Sequence, residues 1–121
     1  MLKEIKIQDM GTRTYNFAMA TIKLVNEFPK TTAAFILGRQ LIRAGTSVNS
    51  NIIHAKASLT KKEYTNYFNN AKRKAKETKS WLLMTFDSGL IRIERMKNLI
   101  DENEKIIKIL VKSVKTLQNI K

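Results

Sequence analysis

The sequence predicts an all-α protein, an antiparallel up-down four-helix bundle formed as a single domain by residues 1–121. Three observations lead to this fold. The chain is long enough for one core, its four glycines and one proline leave few breaks, and apolar residues recur at helical spacing with no useful strand alternation. The predicted helices span about 12–28, 31–56, 61–88 and 95–119.

The first predicted helix runs from Thr12 to Phe28, and residues 1–10, which mix charged and apolar residues, are expected to extend along the surface. Pro29 ends the helix, because a proline ring disfavours α geometry in the residue before it. The apolar face expected to be buried is Tyr15, Ala18, Met19, Ile22 and Val25, and it is widened by Phe17, Leu24 and Phe28.

The second helix begins after a threonine cap, Thr31 or Thr32, whose hydroxyl can accept a free backbone N–H. Gly38 and Gly45 lie on nearly the same side, and each costs about 1 kcal/mol of helix propensity relative to alanine. We therefore expect a close backbone approach to another helix. The predicted buried face is Ala34, Leu37, Leu41, Ala44, Val48, Ile52 and Ala55.

A polar set on the same helix comprises Arg43, Ser47, Asn51 and His54. One interpretation is a hydrogen-bond network that sets helix register, because buried polar groups need partners. The other is a ligand pocket. The structural interpretation is favoured, since His54 has no Glu-x-x-His pairing and no nucleophile pattern around it.

Helix 3 opens with a capping-box pattern at Thr60 and Glu63 and closes near Gly89, a suitable C′ residue. Its predicted buried line is Tyr64, Phe68, Ala71, Ala75, Thr78 and Leu82. The stretch from Leu90 to Met96 is either a connection or an early start of helix 4. The buried line of helix 4 is Leu99, Ile100, Asn103, Ile106, Ile107, Leu110, Val114 and Leu117.

Charge is the strongest functional signal, because 23 Lys and Arg against 10 Asp and Glu give a net charge of +13. This excess favours nucleic acid, an anionic membrane surface or an acidic protein as partner. Helix 3 carries a basic collar, Lys61, Lys62, Lys72, Arg73, Lys74, Lys76 and Lys79. Helix 4 adds a basic stripe, Lys105, Lys108, Lys112 and Lys115. The alternative is that both are simply solvated helix faces.

Two aromatic features have two interpretations each. Tyr67, beside the collar, can stack on an unpaired base or pack within the bundle, and packing is favoured. An apolar cluster near the end of helix 3 covers more than one helix face, which suggests a subunit interface together with Gly38 and Gly45, or else a wide core contact. The cluster is Trp81, Leu83, Met84 and Phe86.

Several functions are disfavoured by composition. The absence of cysteine excludes disulfides, thiol nucleophiles and Cys-based zinc sites. No catalytic motif is present, so we predict no enzymatic activity, no metal and no cofactor. The N-terminal residues lack the apolar run of a signal peptide, and no stretch reaches the roughly 18 to 20 apolar residues of a membrane span. A cytoplasmic protein that does not bind membranes is expected.

Nearly the whole chain resembles the 23S rRNA intervening-sequence protein family of small bacterial helical bundles. Helix 2 carries the most specific letters, and Phe28-Pro29 and the Thr60–Phe68 stretch also fit. The helix 2 letters are Gln40, Arg43, Ala44, Ser47, Val48, Asn51 and Ile52. The resemblance implies a four-helix bundle that assembles as a ring-like homopentamer. Residues 72–79 are basic where the family commonly has acidic positions.

The sequence therefore predicts a non-enzymatic, basic, homo-oligomeric bundle that binds RNA or another nucleic acid through cations on helices 3 and 4. The alternative is a structural or adaptor oligomer whose ligand is an acidic protein. The two differ in whether the basic residues contact phosphates.

Overall fold

The computed structural model describes residues 2–119, and their side chains from Met10 onwards. These residues form four α-helices and no strand, which confirms the all-α prediction. The helices are α1 (Leu2–Asn26), α2 (Thr32–Ala57), α3 (Lys61–Asp87) and α4 (Ile93–Asn119). No helix among the described residues is both long and apolar enough to cross a membrane.

The start of α1 differs from the prediction. The helix begins at Leu2, so the expected extended segment is wrong for residues 2–10. Those residues contain no proline, and the propensity cost of Gly11, about 1 kcal/mol, is too small to interrupt the helix. At the other end, a last turn is closed by bonds from the Glu27 and Phe28 N–H groups to the carbonyls of Leu24 and Val25, both at 3.0 Å.

The buried face of α1 is also shifted from the predicted one. Tyr15 is 56% exposed and Met19 37%, whereas Phe17 and Leu24, which widen the predicted stripe, are buried as expected, and Thr21 is fully buried. Of the other residues on the predicted face, Ala18 is buried, and Ile22 and Val25 are half-buried. The core side is Met10, Thr14, Phe17, Thr21 and Leu24. Threonine can occupy it because the hydroxyls of Thr14 and Thr21 donate to the carbonyls of Met10 (2.6 Å) and Phe17 (2.9 Å) in the same helix.

The predictions for α2 are confirmed. The Thr31 hydroxyl accepts from the Ala34 N–H at 3.2 Å and caps the helix, and the predicted apolar face is buried, with Leu37 half-buried. A Cβ added at Gly38 would lie 2.8 Å from Cγ1 of Val25, and one at Gly45 would lie 3.1 Å from Thr21. The close approach that these glycines permit is therefore with α1 of the same chain.

The ends of α3 also match the prediction. The Thr60 hydroxyl accepts from the Glu63 N–H at 3.1 Å, and Gly89 adopts a left-handed backbone with φ of 75°. The short connection ends where α4 begins, at Ile93. The predicted buried lines of α3 and α4 face the core, with Tyr64, Ile100 and Ile107 half-buried at its margin.

Each of the four helices packs against two others. α2 packs against α1 and α3, and α4 packs against α3 and, least extensively, against α1. The contacts between α1 and α2 run in reverse order, since Val25 meets Gly38, Thr21 meets Gly45 and Thr14 meets Asn49.

The least extensive helix contact is the one between α1 and α4. A groove of about 320 Å³ separates the two helices. It is bridged by Arg13, whose Nε and Nη2 contact Glu102 at 2.7 and 2.9 Å, and by an Arg95–Glu27 ion pair.

Candidate nucleic-acid interface

The collar on α3 is distributed around the helix because residues 72–79 occupy about two turns. Lys79 reaches α4, where its Nζ lies 2.7 Å from Oε1 of Glu104. Lys74 faces the other way, in a depression shared with Asn51 of α2. Lys62, Arg73 and Lys76 are exposed, and Lys72 is half-buried. The predicted collar therefore covers the outer face of α3 and both of its flanks.

Two of the collar cations are paired with carboxylates. Lys79 contacts Glu104, and Lys74 Nζ lies 3.3 Å from Oε2 of Glu77. In contrast, four cations form no ion pair with any residue whose side chain the structure describes, namely Lys62, Lys72, Arg73 and Lys76. These four are the α3 groups best placed to meet an external anion.

The stripe on α4 is uniformly exposed. Lys105, Lys108, Lys112 and Lys115 lie opposite the buried line of the helix and make no ion pair within the described residues. From first to last they span about 15 Å at 1.5 Å per residue. Such a row matches a run of several phosphates along a nucleic-acid strand.

Acidic residues are absent from long stretches of both helices. Residues 64–76 and residues 105–119 contain no Asp or Glu. The carboxylates that do occur on α3 and α4 lie outside these stretches, and several are held in ion pairs, such as Glu102 with Arg13. Among the cations of these two stretches, Lys74 pairs with Glu77, and the others form no ion pair with any described side chain.

The predicted polar set on α2 is placed along one side of that helix. The Ser47 hydroxyl donates to the Arg43 carbonyl at 2.7 Å, and Nδ2 of Asn51 donates to the Ser47 carbonyl at 2.8 Å. The exposed ring of His54 stacks on Tyr67 of α3, with ring centroids 5.2 Å apart and an interplanar angle of 24°. Of the set, only His54 has a ring contact with another helix.

Two other asparagines donate hydrogen bonds from one helix to another. The sequence did not predict this role for them. Nδ2 of Asn49 donates to the Gly11 carbonyl at 3.2 Å and to the Thr14 hydroxyl at 3.1 Å. Nδ2 of Asn103, which is fully buried, donates to the Ala75 carbonyl at 3.1 Å. The sequence signal for this bond was the position of Asn103 within the apolar line of α4.

A polar depression lies between α2 and α3 and brings the two predicted sets together. It has a volume of about 470 Å³ and is lined by Asn51, Asn70, Arg73, Lys74 and Glu77. Trp81 supports its wall, since Nε1 of the indole donates to Oε1 of Glu77 at 3.4 Å.

The two tyrosines near the collar differ in environment. Tyr64 stacks on Phe68, with centroids 4.9 Å apart, and burial raises its pKa from 10.0 to about 12 because the ionised phenolate would be poorly solvated. Tyr64 therefore packs against the core, as its place in the predicted buried line of helix 3 indicates. Tyr67 is half-buried, and the His54 ring stacks on its ring.

No three His, Cys, Asp or Glu side chains within the described part of the chain come together as a metal site. The geometry instead combines cations, amides and stacked rings, which are groups that bind phosphates and bases.

Comparison with known proteins identifies the family. The sequence profile of the 23S rRNA-intervening sequence protein matches residues 8–112. The chain belongs to the 23S rRNA-intervening sequence protein family. This confirms the resemblance carried by the helix 2 letters, which lie on α2 between Gln40 and Ile52.

A solved structure of related fold is a 1.70 Å crystal structure from Bacteroides thetaiotaomicron VPI-5482, described as a protein with unknown function from the S23 ribosomal protein family. It superposes with a TM-score of 0.84 and 24% identity, over 91% of this chain and 98% of the other. The likeness establishes the shared fold. No protein of curated function matches this member of the 23S rRNA-intervening sequence protein family significantly.

Proposed function

We propose that this protein is a non-enzymatic, homo-oligomeric bundle that binds RNA or another nucleic acid through the cations of α3 and α4. The observation that carries the proposal is the coincidence of unpaired cations with acid-free stretches on two neighbouring helices. A cytoplasmic location, where RNA is abundant, is part of the proposal.

The unpaired cations of the two helices can form one surface. The reverse order of the α1–α2 contacts supports an antiparallel up-down arrangement, in which the acid-free part of α3 lies beside the acid-free part of α4. With Ala75 beside Asn103, Lys72 lies at the level of Ile106, about 5 Å along the axis from Ala75. At that level along the bundle axis, Lys72 lies between Lys105 and Lys108. The resulting α3–α4 basic face consists of Lys62, Lys72, Arg73, Lys76, Lys105, Lys108, Lys112 and Lys115.

Binding by this face is expected to be electrostatic. Each phosphate that a cation neutralises releases condensed counterions, so the logarithm of the binding constant falls by about 0.7 to 0.9 per contact for each tenfold rise in salt. Lysine contacts to phosphate carry no base information. The α3–α4 basic face therefore supports affinity for many sequences.

Self-association is supported by apolar side chains on the side of the bundle formed by the other two helices. Phe35 is 65% exposed and Ile53 53%, and Tyr15 and Met19 of α1 are exposed with them. We name these four residues the α1–α2 apolar face. Exposed apolar side chains of this kind are found at interaction sites.

A second apolar patch supports a ring in particular. Leu83, Met84 and Phe86, near the end of α3, are all partly exposed. A cyclic assembly joins two different surfaces of each chain, and the chain offers two. The pentameric number comes from the family resemblance alone. An assembled ring would present several basic faces, so weak contacts would add through avidity.

The test is a titration of labelled RNA at several salt concentrations, using the native protein and a triple variant, K72E/R73E/K76E. We expect binding at about 50 mM salt with a steep salt dependence, and a loss of at least about tenfold in the variant for all RNA sequences alike. The control is K23E/K30E/R39E, which makes the same charge change on α1, on α2 and in the connection between them.

Equal losses in the two triple variants would show that net charge, and not the α3–α4 basic face, governs binding. A salt slope near zero, or no binding by the native protein, would remove the proposal. In that case an acidic protein ligand becomes the better interpretation of the basic surface. The absorbance ratio of the purified protein at 260 and 280 nm, which rises when nucleic acid co-purifies, separates the two at the outset.

A further inference from the structure

We propose that the depression between α2 and α3 binds one unpaired nucleotide of a single strand. In this site Arg73 holds the phosphate and the amides of Asn51 and Asn70 meet the base edge. The exposed His54 ring, which stacks on the half-buried Tyr67, provides a platform for the neighbouring base. The inference rests on the proposed nucleic-acid binding and adds a strand preference to it.

The size and position of the depression suit such a ligand. Its volume of about 470 Å³ lies within the range of small-molecule sites, about 300 to 1,000 Å³. Arg73 lines it and also belongs to the α3–α4 basic face. A strand that follows the basic face can therefore enter the depression without leaving its phosphate contacts.

The hydrogen-bonding groups of the depression are largely unused. Nδ2 of Asn51 donates once, to the Ser47 carbonyl at 2.8 Å, so its carbonyl oxygen and second N–H remain available. Asn70 and Arg73 have no partner among the described side chains. A side-chain amide offers a donor and an acceptor side by side, which matches the paired groups on a base edge.

Glu77, four residues after Arg73 on α3, restricts where a phosphate can lie. Glu77 contacts Lys74 at 3.3 Å and accepts from the Trp81 indole at 3.4 Å, so its carboxylate is held in place. A phosphate is repelled by this carboxylate and attracted by Arg73. A base amino group, in contrast, can donate to it. The ligand is thus oriented with its phosphate towards Arg73.

The aromatic platform continues the line of contacts. His54 and Tyr67 lie one helical turn from Asn51 and Asn70, about 4.5 Å along each axis, and their rings stack with centroids 5.2 Å apart. Because His54 is exposed, a base can stack on it. Stacking of this kind requires unpaired bases, which a duplex does not present.

The experiment compares one labelled RNA of about 16 nucleotides, a length within the site sizes of single-strand binders, with and without its complementary strand. The variants are N70A and H54A, with N66A as the matched control, because Asn66 is an exposed amide of α3 outside the depression. We expect N70A and H54A to weaken single-strand binding by about 5- to 100-fold and to leave duplex binding unchanged. N66A should match the native protein for both ligands.

A second measurement follows the site directly. Trp81 is the single tryptophan of the chain and bonds to a wall residue of the depression. Its fluorescence should change when the single strand binds and not when the duplex binds. In N70A the change should need a higher RNA concentration.

The outcomes separate the two proposals. If the K72E/R73E/K76E variant loses RNA binding while N70A and H54A behave like N66A, the nucleotide site is wrong and the proposed function stands. If N70A weakens single strand and duplex equally, the strand preference is wrong. If the native protein binds neither ligand, both proposals fail.

Discussion

The two sides of the bundle present opposite chemistry to solvent. The α1–α2 apolar face exposes aromatic and aliphatic side chains, whereas the α3–α4 basic face presents eight cations that form no ion pair with any described side chain. Solvation favours the second surface and not the first. The comparison supports the two proposals, that a second protein surface covers the apolar side and that a charged ligand binds the basic side.

The contrast extends to the packing beneath each surface. Gly38 and Gly45 bring α2 close to α1. Under the basic side, α3 and α4 are joined by the buried Asn103 amide and by the Lys79–Glu104 ion pair. The α1–α2 half combines close backbone approach with the hydrogen bonds of Asn49, whereas the α3–α4 half is joined by side chains that reach across.

The largest expected effect is on assembly. The double variant F35E/I53E places two carboxylates on the α1–α2 apolar face, where a subunit contact would have to bury them, and burying unpaired charge is strongly unfavourable. We expect the oligomer to dissociate, as measured by light scattering. RNA affinity should also fall by about 10²- to 10⁴-fold through lost avidity.

The matched control for assembly is K30E/K56E, which introduces two carboxylates at exposed positions before and within α2. It should keep the native subunit number. An F35E/I53E protein that also keeps this number would show that the α1–α2 apolar face is not an interface, and the patch around Met84 would become the next surface to alter.

A smaller effect is expected in the seam between α1 and α2. In G38A the new methyl group meets Val25 Cγ1 at 2.8 Å, and overpacking of this kind costs about 1 to 3 kcal/mol. It outweighs the gain in helix propensity of about 1 kcal/mol. We therefore expect the free energy of unfolding to fall by up to about 2 kcal/mol in denaturant titrations.

Two variants sharpen this result. V25A in the G38A background makes room for the methyl group and should recover part of the loss. G11A is the control, since a Cβ there meets nothing within 4 Å, and it should stabilise the protein by about 0.5 to 1 kcal/mol. A G38A protein as stable as G11A would mean that the helices can separate at no cost.

The smallest effect concerns Tyr64, on the basic half. Its pKa is about 12 in the folded chain and 10.0 when unperturbed. Between these values the unfolded state loses its proton first, so the free energy of unfolding falls as pH rises from 10 towards 12. Below pH 10 the group has no effect, because both states keep the proton.

Lysines also titrate at these pH values, so the informative quantity is the difference between the native protein and Y64F. This difference in the free energy of unfolding should change between pH 10 and pH 12 and stay constant below. Y15F, which removes an exposed tyrosine, is the control. A difference that does not vary with pH would show that burial does not hold Tyr64 neutral.

Much of the fold could be predicted because its signals are local. The caps at Thr31 and Thr60, the left-handed Gly89 and the buried lines of α2, α3 and α4 depend on residues within a few positions of one another. Hydroxyl caps and helical periodicity act over one or two turns. Sequence was misleading in α1, where Thr14 and Thr21 are buried as hydroxyl groups bonded to their own helix.

The residue types of the candidate site were also visible in the sequence, but their pairing was not. Which cations are neutralised depends on contacts such as Lys79 with Glu104, which join residues far apart in the chain. The depression that unites Asn51 with Asn70 and Arg73 exists because α2 and α3 pack with one rotation and one axial register.

By itself, the sequence determined the family, the helices, their caps and the excess of positive charge, since these follow from short-range geometry and composition. Only the tertiary structure decided that Gly38 and Gly45 face α1, that Asn49 and Asn103 join helices, and that Asn51 lies beside Asn70 and Arg73. The physical reason is that helix rotation and register minimise the free energy of the whole core, which no single segment encodes.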